Sequence, residues 1–340
     1  MAYRAEVGFS GRIARAGLTI IFVAFVIYYV LPRKQSFTVF ASTEYLVVRT
    51  VNESSPDWEL PDASICLRTN EGSRASSIDV ADCDNSLYEQ HRLADITLRW
   101  SEGYTLTFQG RDPSFLLLLV GKEETAKPVI IDGYRMRDGQ ADYDSPAELQ
   151  VTGGSILRIP WDGPERPLIP MRGRISIGHL PDGRHEMLLR EARYEIRQTL
   201  GITRRPSLVA QGDFYPGDRI GFARQSGPFW DRGATAPAGN AEDDIVATLF
   251  VTNLSRLSPA FDMVATSPSQ YSALRLTRIG SAPTIIPVSW TQRIAADTIP
   301  VALATLFGLL ATAIALSNTY FATPPSSNGN ARGKADPDGS

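Results

Sequence analysis

Between residues 36 and 290 the apolar positions recur mostly every second residue, the period of a half-buried strand rather than of a helix. Ile96-Thr97-Leu98-Arg99-Trp100 alternates, Ser101-Glu102-Gly103 supplies a turn, and Tyr104-Thr105-Leu106-Thr107-Phe108 alternates again, which predicts a hairpin with one apolar face. Phe115 to Val120 is an unbroken apolar run, the pattern of a strand buried on both faces. Val129-Ile130-Ile131 runs into an Asp132-Gly133 turn. Leu149-Gln150-Val151 and Ile156-Leu157-Arg158-Ile159 flank Gly153-Gly154, a two-residue hairpin signature. Further strands are expected over Phe37–Arg49, Arg174–Gly178, Ser207–Ala210, Arg219–Phe222, Ile245–Thr252, Ala273–Ile279 and Thr284–Ser289. His185 to Leu200 fits both periods, with Leu188, Leu189, Ala192, Ile196 and Leu200 at helical spacing. Its position after the Pro181-Asp182-Gly183 turn favours a strand.

Two apolar segments bracket this region. Ala16 to Leu31 is sixteen residues without a charge, extended by Ile13 and Ala14, with Arg12 and Arg15 able to snorkel and Tyr28 and Tyr29 near the far end. Ile299 to Leu316 is the second, with Asp297 or Thr298 as a cap and Pro300 in the first turn. Both read as membrane-spanning helices. A cleaved signal peptide is the alternative for the first, but Arg33 and Lys34 follow the run directly and the small residues Val39-Phe40-Ala41 reach a cleavage point ten residues past its end. The expected organisation is therefore a tail over 1–12, a span over 13–32, β lobes over 36–135 and 147–290 separated by the polar Arg135–Pro146, a second span over 298–321, and a low-complexity disordered tail over 322–340. The fold class that follows is mainly β: an antiparallel, β-sandwich-like extracytoplasmic region of one or two lobes, flanked by two transmembrane α-helices.

Charge and cysteine usage locate the chain. Arg4, Arg12 and Arg15 precede the first span against Arg33 and Lys34 after it, a positive-inside bias that puts both termini in the cytoplasm. Cys66 and Cys83 both lie between the spans, an even pair that fits a disulfide in an oxidising compartment. The net charge of −3 argues against nucleic acid as a partner. Only four of the 34 basic residues are Lys (Lys34, Lys122, Lys127 and Lys334). Such an Arg excess permits fork-like recognition of phosphate or carboxylate groups. Codon bias in a GC-rich genome produces the same ratio and points to a bacterial inner-membrane protein with a periplasmic domain.

Candidate chemistry is sparse. His179 and His185 flank a turn with Asp182 and Glu186 beside them, a set able to hold a metal ion or act as a pH switch; two solvated imidazoles at a loop tip are the plainer reading. Asp79, Asp82, Asp84 and Asn85 surround Cys83 but lack the register of a calcium loop. No nucleophile elbow, Walker loop, dinucleotide fingerprint or H-E-x-x-H motif is present. Phe229 and Trp230, in the long loop from Arg224 to Asp244, are candidate partner anchors or buried aromatics. Ala304, Gly308 and Thr312 form a small-residue stripe that lets helix backbones approach. No cofactor is implied. The partners implied are the lipid bilayer and either another envelope membrane protein or a second copy joined through the second span. The function that follows is a binding, scaffold or accessory subunit of an envelope complex. The alternatives are a periplasmic hydrolase or transferase on an envelope polymer, or a transmembrane sensor or transport accessory.

Overall fold

The computed structural model describes residues 35–51, 56–68, 88–112, 114–161, 169–178, 189–200, 205–224, 246–254, 259–267, 272–278 and 281–286, with Gln292, Thr305, Gly308 and Thr312. The architecture is mainly antiparallel β sheet. Eight strands run in the spatial order β2 (Tyr45–Thr50), β5 (Tyr104–Asp112), β6 (Phe115–Lys122), β9 (Ile156–Pro160), β3 (Trp58–Arg68), β4 (Tyr88–Leu98), β7 (Val129–Arg137) and β8 (Gln140–Val151). A second set runs β12 (Arg205–Phe214), β11 (Leu189–Leu200), β1 (Gln35–Thr43), β15 (Phe261–Thr266), β14 (Val246–Leu254) and β10 (Ile169–Ile177). β10 also pairs with β13 (Arg219–Arg224), which continues into β16 (Ser272–Thr277) and β17 (Thr284–Ile286). The two sets meet where β10 pairs with β2.

β1 and β2 are one extended run broken at Glu44. Phe37, Val39 and Ala41 point inward on one side of the break, Leu46 and Val48 on the other. The register of β1 slips between Ser42 and Thr43, and the Glu44 carboxylate is buried where Arg190 Nε donates to it at 2.6 Å. The Glu44 carbonyl accepts from Gly110 N–H at 3.0 Å, and the Tyr45 carbonyl from Gly178 N–H at 2.9 Å. These bonds satisfy backbone groups that a bent, buried strand would otherwise leave unpaired. The chain thereby changes sheet neighbours without losing its inward face.

One main core serves both sets, from Phe37 in β1 to Leu276 in β16. At its centre Trp58 meets Trp100 edge-on at 5.6 Å and Phe108 at 6.1 Å, and Trp100 meets Tyr104 at 5.5 Å. Trp58 Nε1 donates to the Pro170 carbonyl at 2.8 Å, tying the start of β3 to the start of β10 across the core. Tyr104 donates to the Lys127 carbonyl at 2.9 Å, and burial pushes its phenol above the ordinary value. At the other end Asp218, itself buried, accepts from Arg278 Nε at 3.0 Å while the guanidinium lies over the Tyr215 ring at 5.2 Å.

The expected strands form, but several pair differently. Ile96–Trp100 and Tyr104–Phe108 are not a hairpin: β4 pairs with β3 and β7, and β5 with β2 and β6. Gly103, at φ +88°, carries the chain between them. Likewise β8 and β9 are not partners; Gly154, at φ +86°, sits in a crossing turn whose N–H reaches the Val120 carbonyl at 2.7 Å. Asp132-Gly133 lies within β7, and the reversal comes at Asp138 (φ 51°) and Gly139 (φ 80°). Arg135–Pro146 is thus the paired β7–β8 hairpin, and the described residues from Gln35 to Ile286 form a single compact unit. Residues 189–200 are a strand. Both apolar segments fall outside the described residues apart from Thr305, Gly308 and Thr312. No helix among the described residues is long and apolar enough to cross a membrane.

Two glycine substitutions separate crowding from backbone strain. A Cβ at Gly110 would lie 1.5 Å from the Pro259 carbonyl oxygen, whereas one at Gly139 would meet nothing within 4 Å. Gly139→Ala should cost about 1 kcal/mol, the penalty of a left-handed residue. Gly110→Ala should exceed the roughly 1–3 kcal/mol of ordinary overpacking, because the obstacle is backbone. Equilibrium unfolding followed by tryptophan emission measures both.

Candidate functional site

The outward face of β9, β3 and β4 carries an open groove of about 350 Å³. Alternation builds it. Ala63, Ile65, Leu93 and Leu157 point into the main core, so Asp62, Ser64, Arg92 and Arg158 stand on the opposite side. Ser64 faces Arg158 of β9 across one edge and Arg92 of β4 across the other, so three strands contribute one row. The neighbouring row, Leu119, Ile156, Cys66 and Gln90, is mostly apolar. There Cys66, Ile156 and the adjacent Leu117 form a second buried cluster, with Tyr88 and Phe115 against it. On the other flank stand Phe115 and Pro160, paired between β6 and β9, with Asp62 beyond them on β3.

Three of the polar groups here, Arg158, Ser64 and Gln90, are held. The Arg158 guanidinium lies over the Phe115 ring at 4.3 Å, an arrangement that removes rotamers before any ligand arrives. Gln90 Nε2 donates to Ser64 Oγ at 3.0 Å, so the hydroxyl oxygen is occupied and its proton is available to the groove. Next to the groove Asp112 accepts from the Ser114 hydroxyl and, at 2.8 Å, from the Ser114 N–H; these bonds, with Arg158 nearby, hold its carboxyl below the usual aspartate value. A bulge in β4 between Ala94 and Thr97 puts Asp95 at φ 48° and bends the far rim. Tyr143 of β8 donates to the Asp95 carboxylate there at 2.9 Å, and that neighbour raises the Tyr143 phenol. The groove is lined by one carboxylate (Asp62), two guanidiniums (Arg92 and Arg158), two hydroxyls (Ser64 and Ser114) and an amide (Gln90). Such a set holds an anionic group; general acid–base work on a glycosidic bond would need a second, facing carboxylate.

The residues singled out from the sequence fall mostly elsewhere. His179, Asp182, His185 and Glu186, between β10 and β11, lie outside the described residues, as do Phe229 and Trp230 between β13 and β14, Cys83 with its acidic neighbours, and Ala304. Among the described residues no cluster of three or more His, Cys, Asp or Glu is placed to hold a metal ion. Cys66 is fully buried on β3 and is not a free thiol. Gly308 and Thr312 are helical and exposed, and Thr312 Oγ1 donates to the Gly308 carbonyl at 2.7 Å. Ser64, Arg92 and Arg158 were not singled out. The one available signal was an arginine inside the otherwise apolar Ile156–Ile159, which marks an outward position in a central strand.

The depressed Asp112 carboxyl has a signed consequence. Its folded value is below the ordinary 3.8, so its contribution to stability is present above that pH and is lost as pH falls through the folded value. Ser114→Ala, which removes the leading cause, should therefore be less stable than the parent at pH 6, and the difference should shrink between pH 4 and pH 2. Thermal unfolding across that range tests it.

Comparison with family models, curated proteins and solved structures finds no match to this chain.

Proposed function

We propose that the chain is a membrane-anchored extracytoplasmic β-domain that binds within a bacterial envelope complex, as a scaffold or accessory subunit rather than as an enzyme. The observation that carries this reading is the outward groove, where Arg158 is braced over Phe115 and Gln90 bonds Ser64, so that donors are placed in advance to hold a group. Support for anchoring comes from the two apolar segments and the arginines around the first. In the second span the Thr312 hydroxyl bonds within its own helix, and the Gly308 surface is open, with nothing within 4 Å of where a Cβ would stand. That small face suits close approach of another helix.

The test is topology and company. Reporter fusions after residue 150 should be active outside the cytoplasm, the protein should resist carbonate extraction, and affinity purification from native membranes should bring a stoichiometric partner. A cytosolic reporter, release by carbonate, or a solitary polypeptide with hydrolase activity would each overturn the reading.

A disulfide between Cys66 and Cys83 belongs to the same proposal, supported by the absence of a free thiol at Cys66 and by Cys83 being the other cysteine of the chain. Non-reducing peptide mapping should recover the linked pair. Reduction should lower stability by roughly 3 kcal/mol, as expected for a closed loop of this order.

A further inference from the structure

We infer that the turn end of the β11–β12 hairpin rests on the headgroup layer of the bilayer that anchors the chain, and binds anionic phospholipid there. The inference rests on the reading that residues 13–32 span that bilayer, and it adds a second contact between the domain and the lipid.

β1 starts at Gln35, four residues after the apolar run that ends at Leu31. Four residues reach at most about 14 Å, so the beginning of β1 marks the membrane end of the domain. β11 is antiparallel to β1 and sets Gln198 opposite Gln35. It therefore runs toward the lipid, and it goes further than β1 does: Thr199 still pairs with Pro206, and Leu200 with Arg205. Those two residues of strand add about 6.6 Å. With the tether from Leu31 fully stretched, the last pair of the hairpin stands roughly 7 Å from the hydrocarbon, at the outer margin of a headgroup layer about 5–7 Å deep. Any shorter tether brings it into that layer.

The side chains suit the position. Arg197 and Leu208 oppose each other across the hairpin, in the row that continues Ser36 of β1. The Arg197 side chain is 55% exposed and Leu208, a large apolar residue, 46%. At a headgroup layer the alkyl groups of such a pair meet the acyl boundary while the guanidinium meets phosphate. Arg197 Nη2 donates to Glu195 at 3.0 Å, and Arg193 stands 3.9 Å from the same carboxylate, so two arginines share one acid. Exposed pairs of this kind contribute little and yield to a lipid phosphate. From Arg197 to Leu208 the sequence holds three arginines and no acidic residue, and Arg33 and Lys34 lie in the tether. A chain of net charge −3 is thus basic where it nears the membrane, the complement of an anionic leaflet. The edge strand β8 is the opposite case, with Asp142, Asp144 and Glu148 and no basic residue.

The experiment is hydrogen–deuterium exchange of the full-length protein in nanodiscs of phosphatidylcholine alone and of equal parts phosphatidylcholine and phosphatidylglycerol. Amides of 199–206 should exchange about tenfold more slowly in the anionic discs, and those of β8 alike in both. Arg197→Gln should take back about fivefold of that difference, the scale of one basic residue at an anionic leaflet. Arg197→Lys should keep the difference, since an ammonium also binds phosphate. Arg193→Gln removes the same charge two residues further from the lipid and should take back a smaller share. Unchanged thermal unfolding of the three variants shows that the fold is kept. Equal exchange of 199–206 in the two discs, an equal loss from Arg193→Gln, or the same slowing in β8 overturns the inference while the anchor stands. Release of the protein by carbonate overturns the anchored reading, and this contact with it.

Discussion

The fold depends on a bend that must stay buried. β1 and β2 are consecutive, yet β1 finds its partners in β11 and β15 while β2 finds them in β5 and β10. Such an exchange would ordinarily strand polar backbone groups inside the protein. Here the Glu44 carbonyl is taken by Gly110 and the Glu44 carboxylate by Arg190, so the bend has partners on both sides. Gly110 belongs at that point because the Pro259 carbonyl comes where a side chain would begin. The two strand sets can therefore share one core, with Trp58 bonded to Pro170 as a second tie between them.

The groove is a by-product of the same arrangement. The main core lies on one side of β9, β3 and β4, and on their other face, beside the buried Cys66–Ile156 cluster, the strict alternation of a pleated strand lines up Arg158, Ser64 and Arg92 without any loop. Sites built on strands hold their geometry better than sites on loops. Phe115 braces Arg158 there, and the bulge at Asp95 breaks the register of β4 with β7 next to it.

How much of this was legible in the sequence depends on range. Period-two alternation marked β4, β5, β10 and β16, and the unbroken run Phe115–Val120 marked a strand whose outward Leu117 is as buried as its inward neighbours. Partner choice was not legible. A glycine at positive φ serves a tight hairpin and a crossing turn equally well, which is why Gly103 and Gly154 misled, and two Asp-Gly pairs six residues apart differ only in which one the sheet leaves unpaired. The single hydrophobic core was hidden for a similar reason: a polar run such as Arg135–Pro146 looks like a linker until its two halves pair. Ser64, Arg92 and Arg158 come together only once β3 lies between β9 and β4, a fact of register that no local spacing encodes.

The burial of β6 on both faces carries a cost during synthesis. Phe115-Leu116-Leu117-Leu118-Leu119-Val120 has the length, apolarity and lack of charge of segments that stack into cross-β fibres, and it is harmless here only because β5 and β9 occupy both of its edges. β5 precedes it in the chain, but β9 follows the whole β7–β8 hairpin. Until that later strand is made, one edge of the most sticky segment in the domain stands open. During that interval β5 alone keeps the segment from pairing with a second chain.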